Sequence, residues 1–298
     1  MVLMPLPPNT TPAPPPVFFN MSPANPTPTS ASTSAPTPTP LPEHLRKDEA
    51  QKPGDKTAPS TDGVSPSAKE FTKPRLRLHL NDLTDEGTSI FLASISPSAL
   101  LPSAVAQVQK ALYVHPDAAF HMPSTRSVTL IVRPMDGVAY TTGIDLDPEQ
   151  HKEIHFSSHY VAGISPDRRS YEIEGVIVHE LVHCYQYNGH GHAPGGLIEG
   201  IADWVRLGAG LAPPHWRKGD EVQGKWDAGY QHTAYFLQYL EERFGEGTVR
   251  RLNEGLRTTK YEEKPFWTGI LGRPVEQLWE DYKGHPGKGK GGDKGNQS

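Results

Sequence analysis

The chain has 298 residues, a formal net charge of −5 and a single cysteine, Cys184. One cysteine excludes an internal disulfide, and the mixed, slightly acidic charge argues against nucleic acid as a partner. No stretch approaches the ~18 consecutive apolar residues of a membrane span, so no membrane partner is expected either.

Of the 31 prolines, 18 precede Arg75, and Ser, Thr and Ala fill the gaps between them. Such a segment has too little apolar surface to offset the entropy of ordering it, so the composition predicts a disordered tail over 1–75. Proline-rich stretches within it, such as "PAPPPVF", suit polyproline II and a partner that reads it. The first residues, "MVLMPLPPNTTPAPPP", carry neither a charged start nor an apolar run. That predicts no secretory signal, hence a cytoplasmic chain or one exported by a non-classical route. The Gly/Lys-rich end, 284–298, reads as a second loose tail. One folded domain is expected over 76–283.

Within that domain, "RLRLHLNDL" (75–83) alternates apolar and polar residues, the period of a half-buried strand. "TSIFLASIS" (88–96) fits either a short strand or the start of a helix. Leu100, Leu101, Ala104, Val105, Val108 and Leu112 recur at helical spacing over 98–114, with Pro102 in the first turn, where a missing N–H is tolerated. "SVTLIVRPM" and "GVAYTTGID" are β-rich and flank a turn signal at Asp136-Gly137. "KEIHFSSHYVAG" (152–163) alternates again and is expected to be a strand. From about residue 170 the period changes to helical. Helices are predicted over 169–187, 195–210 and 227–245, the last with Asp227 as its cap and Gly245 as its stop, followed by shorter ones over 247–257 and 274–283. Strands first and helices second predict an α+β fold: a mixed or antiparallel N-terminal sheet with one helix, then a helical C-terminal half.

The helix over 169–187 contains "HELVH". Residues four apart lie above one another on a helix, so His179 and His183 can aim two imidazole nitrogens at one point. Zinc accepts such nitrogens at ~2.0–2.1 Å in a tetrahedral shell, which leaves further positions open. Glu180, on the flank of that face, can take a proton from a water whose acidity a metal has raised. The competing reading is a central buried helix, since Ile173, Val176, Ile177, Val178, Leu181 and Val182 are apolar. Burying two histidines and a glutamate there without a metal or partners costs several kcal/mol, which favours the metal. Cys184 is turned about 100° from His183 and should face the core.

A third ligand is needed. Glu199, on the next helix, is the first candidate, and Asp203, one turn later, can accept the other ring N–H of a ligand histidine. The bland alternative is a solvated stripe running on to Arg206. Rival donors are His190 and His192, in the loop "NGHGHAPGG". The order His-Glu-x-x-His followed by Glu-x-x-x-Asp resembles the glutamate-type zincin metallopeptidases.

"HELVHCYQYNGHGHAPGGLIEGIADWVRLGAGLAPPHW" with "WDAGYQHTAYFLQYLEERFG" also resembles the plant basic secretory protein family, a group described as zinc peptidases of plants, fungi and bacteria. The likeness covers about 76–283 and is strongest over 172–245. It implies a zincin-like domain with zinc held by His179, His183 and Glu199, and Glu180 as general base. It implies an extracellular role too, although this chain is slightly acidic. An amide hydrolase also needs a donor to the oxyanion that forms on the carbonyl. Tyr230 is the candidate, followed by His232 and Tyr235, while Tyr187 and His215 are weaker candidates for lining the cleft. The first functional expectation is a zinc metallopeptidase acting on a peptide or protein. The second is a non-catalytic zincin-fold module tethered by the proline-rich tail; a purely structural metal is a third.

Overall fold

The computed structural model describes residues 70–114, 121–144, 147–216 and 224–285. The tail predicted up to residue 75 lies outside the described residues as far as residue 69, and the C-terminal tail does so from residue 286. The fold is α+β: a four-stranded mixed sheet in the first half and a helical second half.

β1 (Arg75–Leu80) leads into α1 (Glu86–Ser94) and α2 (Pro97–Tyr113), then β2 (Ser127–Arg133), β3 (Ala139–Ile144) and β4 (Asp147–Ser157). The "TSIFLASIS" segment is therefore a helix. Asp85 decides this by capping it: its carboxylate accepts the Thr88 N–H at 2.9 Å. β1 and β2 are parallel neighbours, and a parallel pair needs a crossover, which α1 and α2 supply. The sheet order is β1-β2-β4-β3, with β2 and β4 parallel and β3 antiparallel to β4. The Asp136-Gly137 turn thus joins strands that are not neighbours, since β4 is inserted between β2 and β3.

The alternation over 152–163 covers two structures. β4 ends at Ser157, whose hydroxyl accepts the Tyr160 N–H at 3.1 Å and starts α3 (Ser158–Gly163). Among the described residues the N-terminal half accordingly holds three helices, not one. A 3-10 turn at Pro166–Arg168 precedes α4 (Arg169–His183), and then come α5 (Gly195–Gly208), α6 (Tyr230–Phe244), α7 (Thr248–Thr258), α8 (Glu263–Leu271) and α9 (Val275–Lys283).

Val128, Leu130, Val132, Ile154 and Phe156 line one buried face of the sheet and belong to the same core as Val105, Val108 and Leu112 of α2 and Ile173, Ile177 and Leu181 of α4. Fully burying each such side chain is worth about 1.5–3 kcal/mol, so α4 is anchored as the central helix. A second part of the core is aromatic. Phe236 of α6 packs edge-on against Trp279 with ring centroids 5.2 Å apart, and Trp226 packs against Trp267 at the same separation. No single helix among the described residues is long and apolar enough to cross a membrane, and the apolar face of α2 is buried in the core.

Candidate metal centre

α4 ends at His183, four residues earlier than the periodicity predicts. The two carbonyls that follow it are taken by side chains from elsewhere. The Thr125 hydroxyl donates to the Cys184 carbonyl at 2.7 Å and the Tyr113 hydroxyl to the Tyr185 carbonyl at 2.5 Å. The amide of Tyr187 donates to Asn253 at 3.0 Å. Those bonds let the chain turn away once the second histidine is in place.

α5 lies against α4 and returns past it. Gln186 ties the two together, donating from Nε2 to the Ile198 carbonyl at 3.2 Å. Glu199 follows directly. His179 Nε2 lies 3.1 Å from a Glu199 carboxylate oxygen and 3.2 Å from His183 Nε2, and His183 Nε2 lies 3.7 Å from the other Glu199 oxygen. One donor atom from each of the three residues lies within 4.8 Å of the other two. Two lone-pair nitrogens and a carboxylate facing one point suit a cation of mixed nitrogen and oxygen preference.

Asp203 completes the buried side. Its Oδ1 is 2.7 Å from His179 Nδ1, it is 1% exposed, and its Oδ2 has no hydrogen-bond partner. A proton on Nδ1 satisfies the near oxygen and leaves the Nε2 lone pair aimed at the cluster. Burial opposes charge on His179, but the Asp203 carboxylate, with Glu199 and Glu180 behind it, holds its pKa well above the ordinary histidine value. Burial depresses His183, and the nearby Glu199 does not recover it. Burial also works against a charge on Glu199, yet the His179 hydrogen bond and the two histidines hold it down at about 2. Arg206 is not part of a solvated stripe: it is buried and pairs with Glu172 of α4 at 2.8 Å.

Glu180 stands beside the cluster without joining it. It is 6% exposed, and its Oε2 accepts the Thr141 hydroxyl at 2.7 Å. The periodicity of the sequence gives no hint of Thr141, which reaches α4 from β3 across 39 residues of chain. Cys184 is buried at 1% exposure, and burial pushes its thiol far up, as its turn into the core predicts.

The 226–230 segment closes on α5. Asp227 does not cap α6, which begins at Tyr230 after Gly229. Thr233 takes over the role: its hydroxyl donates to the Trp226 carbonyl at 2.8 Å and accepts the Gly229 N–H at 2.9 Å, holding 226–229 as a turn. A methyl group at Gly196 would stand 1.7 Å from the Asp227 carbonyl, and one at Gly200 would stand 2.2 Å from the Thr233 methyl. Glycine at these two positions is what lets the turn approach. At Gly229 a methyl group would lie 3.8 Å from Glu199 Cβ, so the turn borders the cluster. Tyr230 follows with φ of 49°, rare for a non-glycine residue, and is 53% exposed. Burial, and then the carboxylates of Glu199, Asp203 and Glu180, raise its pKa.

The other candidates lie elsewhere. His190 is exposed and bonds to the Arg257 carbonyl at 3.0 Å, and His192 is exposed; neither joins the donor cluster. The loop holding them is pinned by the Gly189–Leu256 and Tyr261–Gly189 backbone bonds, which carry it toward α7. Tyr187 donates to the His121 carbonyl at 2.6 Å. His215 lines a cavity of about 360 Å³ with Arg168 and Glu172, at the opposite end of α4 from the donors. His232 is half-buried, and Tyr235 packs edge-on to Trp216 at 6.4 Å.

No curated protein and no solved structure matches this chain. A family model does, over residues 73–282, a span that includes the sheet, the helix bearing the two histidines and, but for the last residue of α9, the described helices after it. The chain therefore belongs to the BSP family, the peptidases of plants and bacteria.

Proposed function

We propose that the protein is a zinc-dependent metallopeptidase of zincin type, with His179, His183 and Glu199 as metal ligands and Glu180 as general base. The observation that carries this is the convergence of the two Nε2 atoms and the Glu199 carboxylate within 4.8 Å of one another. Zinc, when bound, supplies a Lewis acid and lowers the pKa of a water molecule to about 7.

The chain's own groups do the rest. Asp203 accepts the Nδ1 proton of His179 and so keeps Nε2 free for the metal. Glu180 Oε2 is held by Thr141, which leaves Oε1 to take a proton from the attacking water and deliver it to the departing amine. Tyr230, on the turn beside Glu199, donates its phenolic hydrogen to the oxygen of the scissile carbonyl as negative charge gathers there. The substrate is a peptide or protein, in keeping with the family's description.

The test is Glu180→Gln, assayed for zinc by metal analysis and for hydrolysis of a denatured protein. We expect zinc near one per chain and turnover reduced about 10²–10⁴-fold, the usual worth of a general base. A fully active variant overturns the assignment of Glu180. Wild-type protein with stoichiometric zinc and no turnover on any peptide would leave the non-catalytic module in its place.

A further inference from the structure

Glu180 carries a single carboxylate that must serve as a base without becoming a metal ligand, so something has to hold it aside. The candidate ligands are themselves held: His179 by Asp203, and Glu199 by the two histidines. The only side-chain bond to the Glu180 carboxylate among the described residues comes from Thr141.

Thr141 is placed for this by the sheet. It pairs with Ile154 of β4, which in turn pairs with Leu130 of β2, so all three side chains share the face that looks toward α4. Ile154 and Leu130 are fully buried there. Thr141 is the polar residue in that row, and its hydroxyl reaches Glu180 Oε2 at 2.7 Å and the Glu180 backbone carbonyl at 3.0 Å. That carbonyl is open to it because the amide of Cys184, its ordinary helical partner, bonds instead to the Leu181 carbonyl at 3.1 Å. One hydroxyl therefore spans the backbone and side chain of the same residue. Such a bridge selects one carboxylate rotamer out of the staggered set.

We infer that Thr141 is a positioning residue for catalysis: its hydroxyl fixes the Glu180 carboxylate at the distance and orientation that proton transfer needs. The inference rests on the reading of Glu180 as general base. Thr141 is no member of the donor cluster and acts only through Glu180.

Three single variants of the full chain test it, each assayed for zinc content, thermal unfolding, kcat and KM. Thr141→Val keeps the shape and loses the hydroxyl; Thr141→Ser keeps the hydroxyl and loses the methyl group. A role in packing alone would leave Val near wild type and damage Ser. The positioning role reverses the order. We expect Thr141→Val to lower kcat about 10–100-fold with KM within about twofold and zinc unchanged, since a misplacement near 1 Å can cost about 10²-fold. We expect Thr141→Ser to stay within about threefold of wild type. Wild-type kcat in the Val variant, or a Ser variant as impaired as Val, overturns the inference. If Val does not fold, the Ser variant decides alone: retained kcat supports the role and a Val-sized loss removes it. Glu180→Gln separates the two failures. If it is active, the general-base reading falls; if it is inactive while Thr141→Val is unimpaired, only the role of Thr141 falls.

Discussion

Asp203 is the most deeply buried acid around the donor cluster, and it has one oxygen on His179 and one without a partner. Carboxylates behind ligand histidines typically set metal affinity by 10–100-fold. Asp203→Asn should therefore weaken zinc binding by about that factor, read by competition against a chromogenic chelator. Unchanged affinity would reduce Asp203 to a packing residue. Glu199 supports a different measurement. Its value is lowered from 4.5 to about 2, so the stability it adds is fully present above pH 4.5 and drains away as pH falls through 2. In chelator-treated protein, the denaturation midpoint of wild type should fall toward that of Glu199→Gln across this window. Parallel curves for the two proteins would refute the linkage. At this scale His179, Glu180 and His183 are legible in the sequence because they sit on one helix, where spacing alone determines proximity. Thr141 is not, because its proximity to Glu180 depends on strand register and on which face of β3 looks inward.

Among the elements, α5 is held between α4 and α6 by two kinds of contact. One is a buried ion pair: Arg206 meets Glu172 at 2.8 Å, with side chains 8% and 13% exposed, and also donates from Nε to the Leu211 carbonyl. Tyr160 of α3 donates to the same Glu172 oxygen. Arg206→Ala would strand that carboxylate, and removing one partner of a buried pair costs about 3–5 kcal/mol. The measurement is urea unfolding; a loss below 1 kcal/mol would mean that Glu172 finds another partner. The other contact is close backbone approach. Gly200→Ala should cost about 1–3 kcal/mol as its methyl group meets Thr233, with part of the loss recovered in the double variant carrying Thr233→Ser. Most helices were visible as periods, but their ends were not. α4 stops at His183 because Thr125 and Tyr113 claim the following carbonyls, and α6 starts late because Thr233 ties up the turn before it. Asp227 looks like a cap on local grounds and loses to that tertiary hydroxyl. α8 is not legible in the sequence, since "EKPFWTGIL" offers a weak period and an early proline.

Across the whole molecule, the donor cluster joins α4 to α5, and both helices belong to the one core that includes the sheet. A cation there should stabilise the fold as a ligand of the native state, by about 2.7 kcal/mol at a hundredfold excess over its Kd. Treatment with a chelator should lower Tm, and added zinc should restore it; a Tm indifferent to both would argue that no metal is held by native protein. What the sequence alone determined is local: an α+β order of elements, a helix presenting two imidazoles on one face, and a second helix carrying a lone pair of acids one turn apart. Periodicity encodes such things because neighbouring residues share a single backbone geometry. Tertiary structure decided which distant groups meet. It brought Glu199, and neither His190 nor His192, to the two histidines, inserted β4 between β2 and β3, and brought Thr141 to Glu180. Those outcomes depend on the packing of whole faces, on glycines that admit a close approach and on hydroxyls that cap another segment's carbonyls, and no spacing rule along one chain contains them.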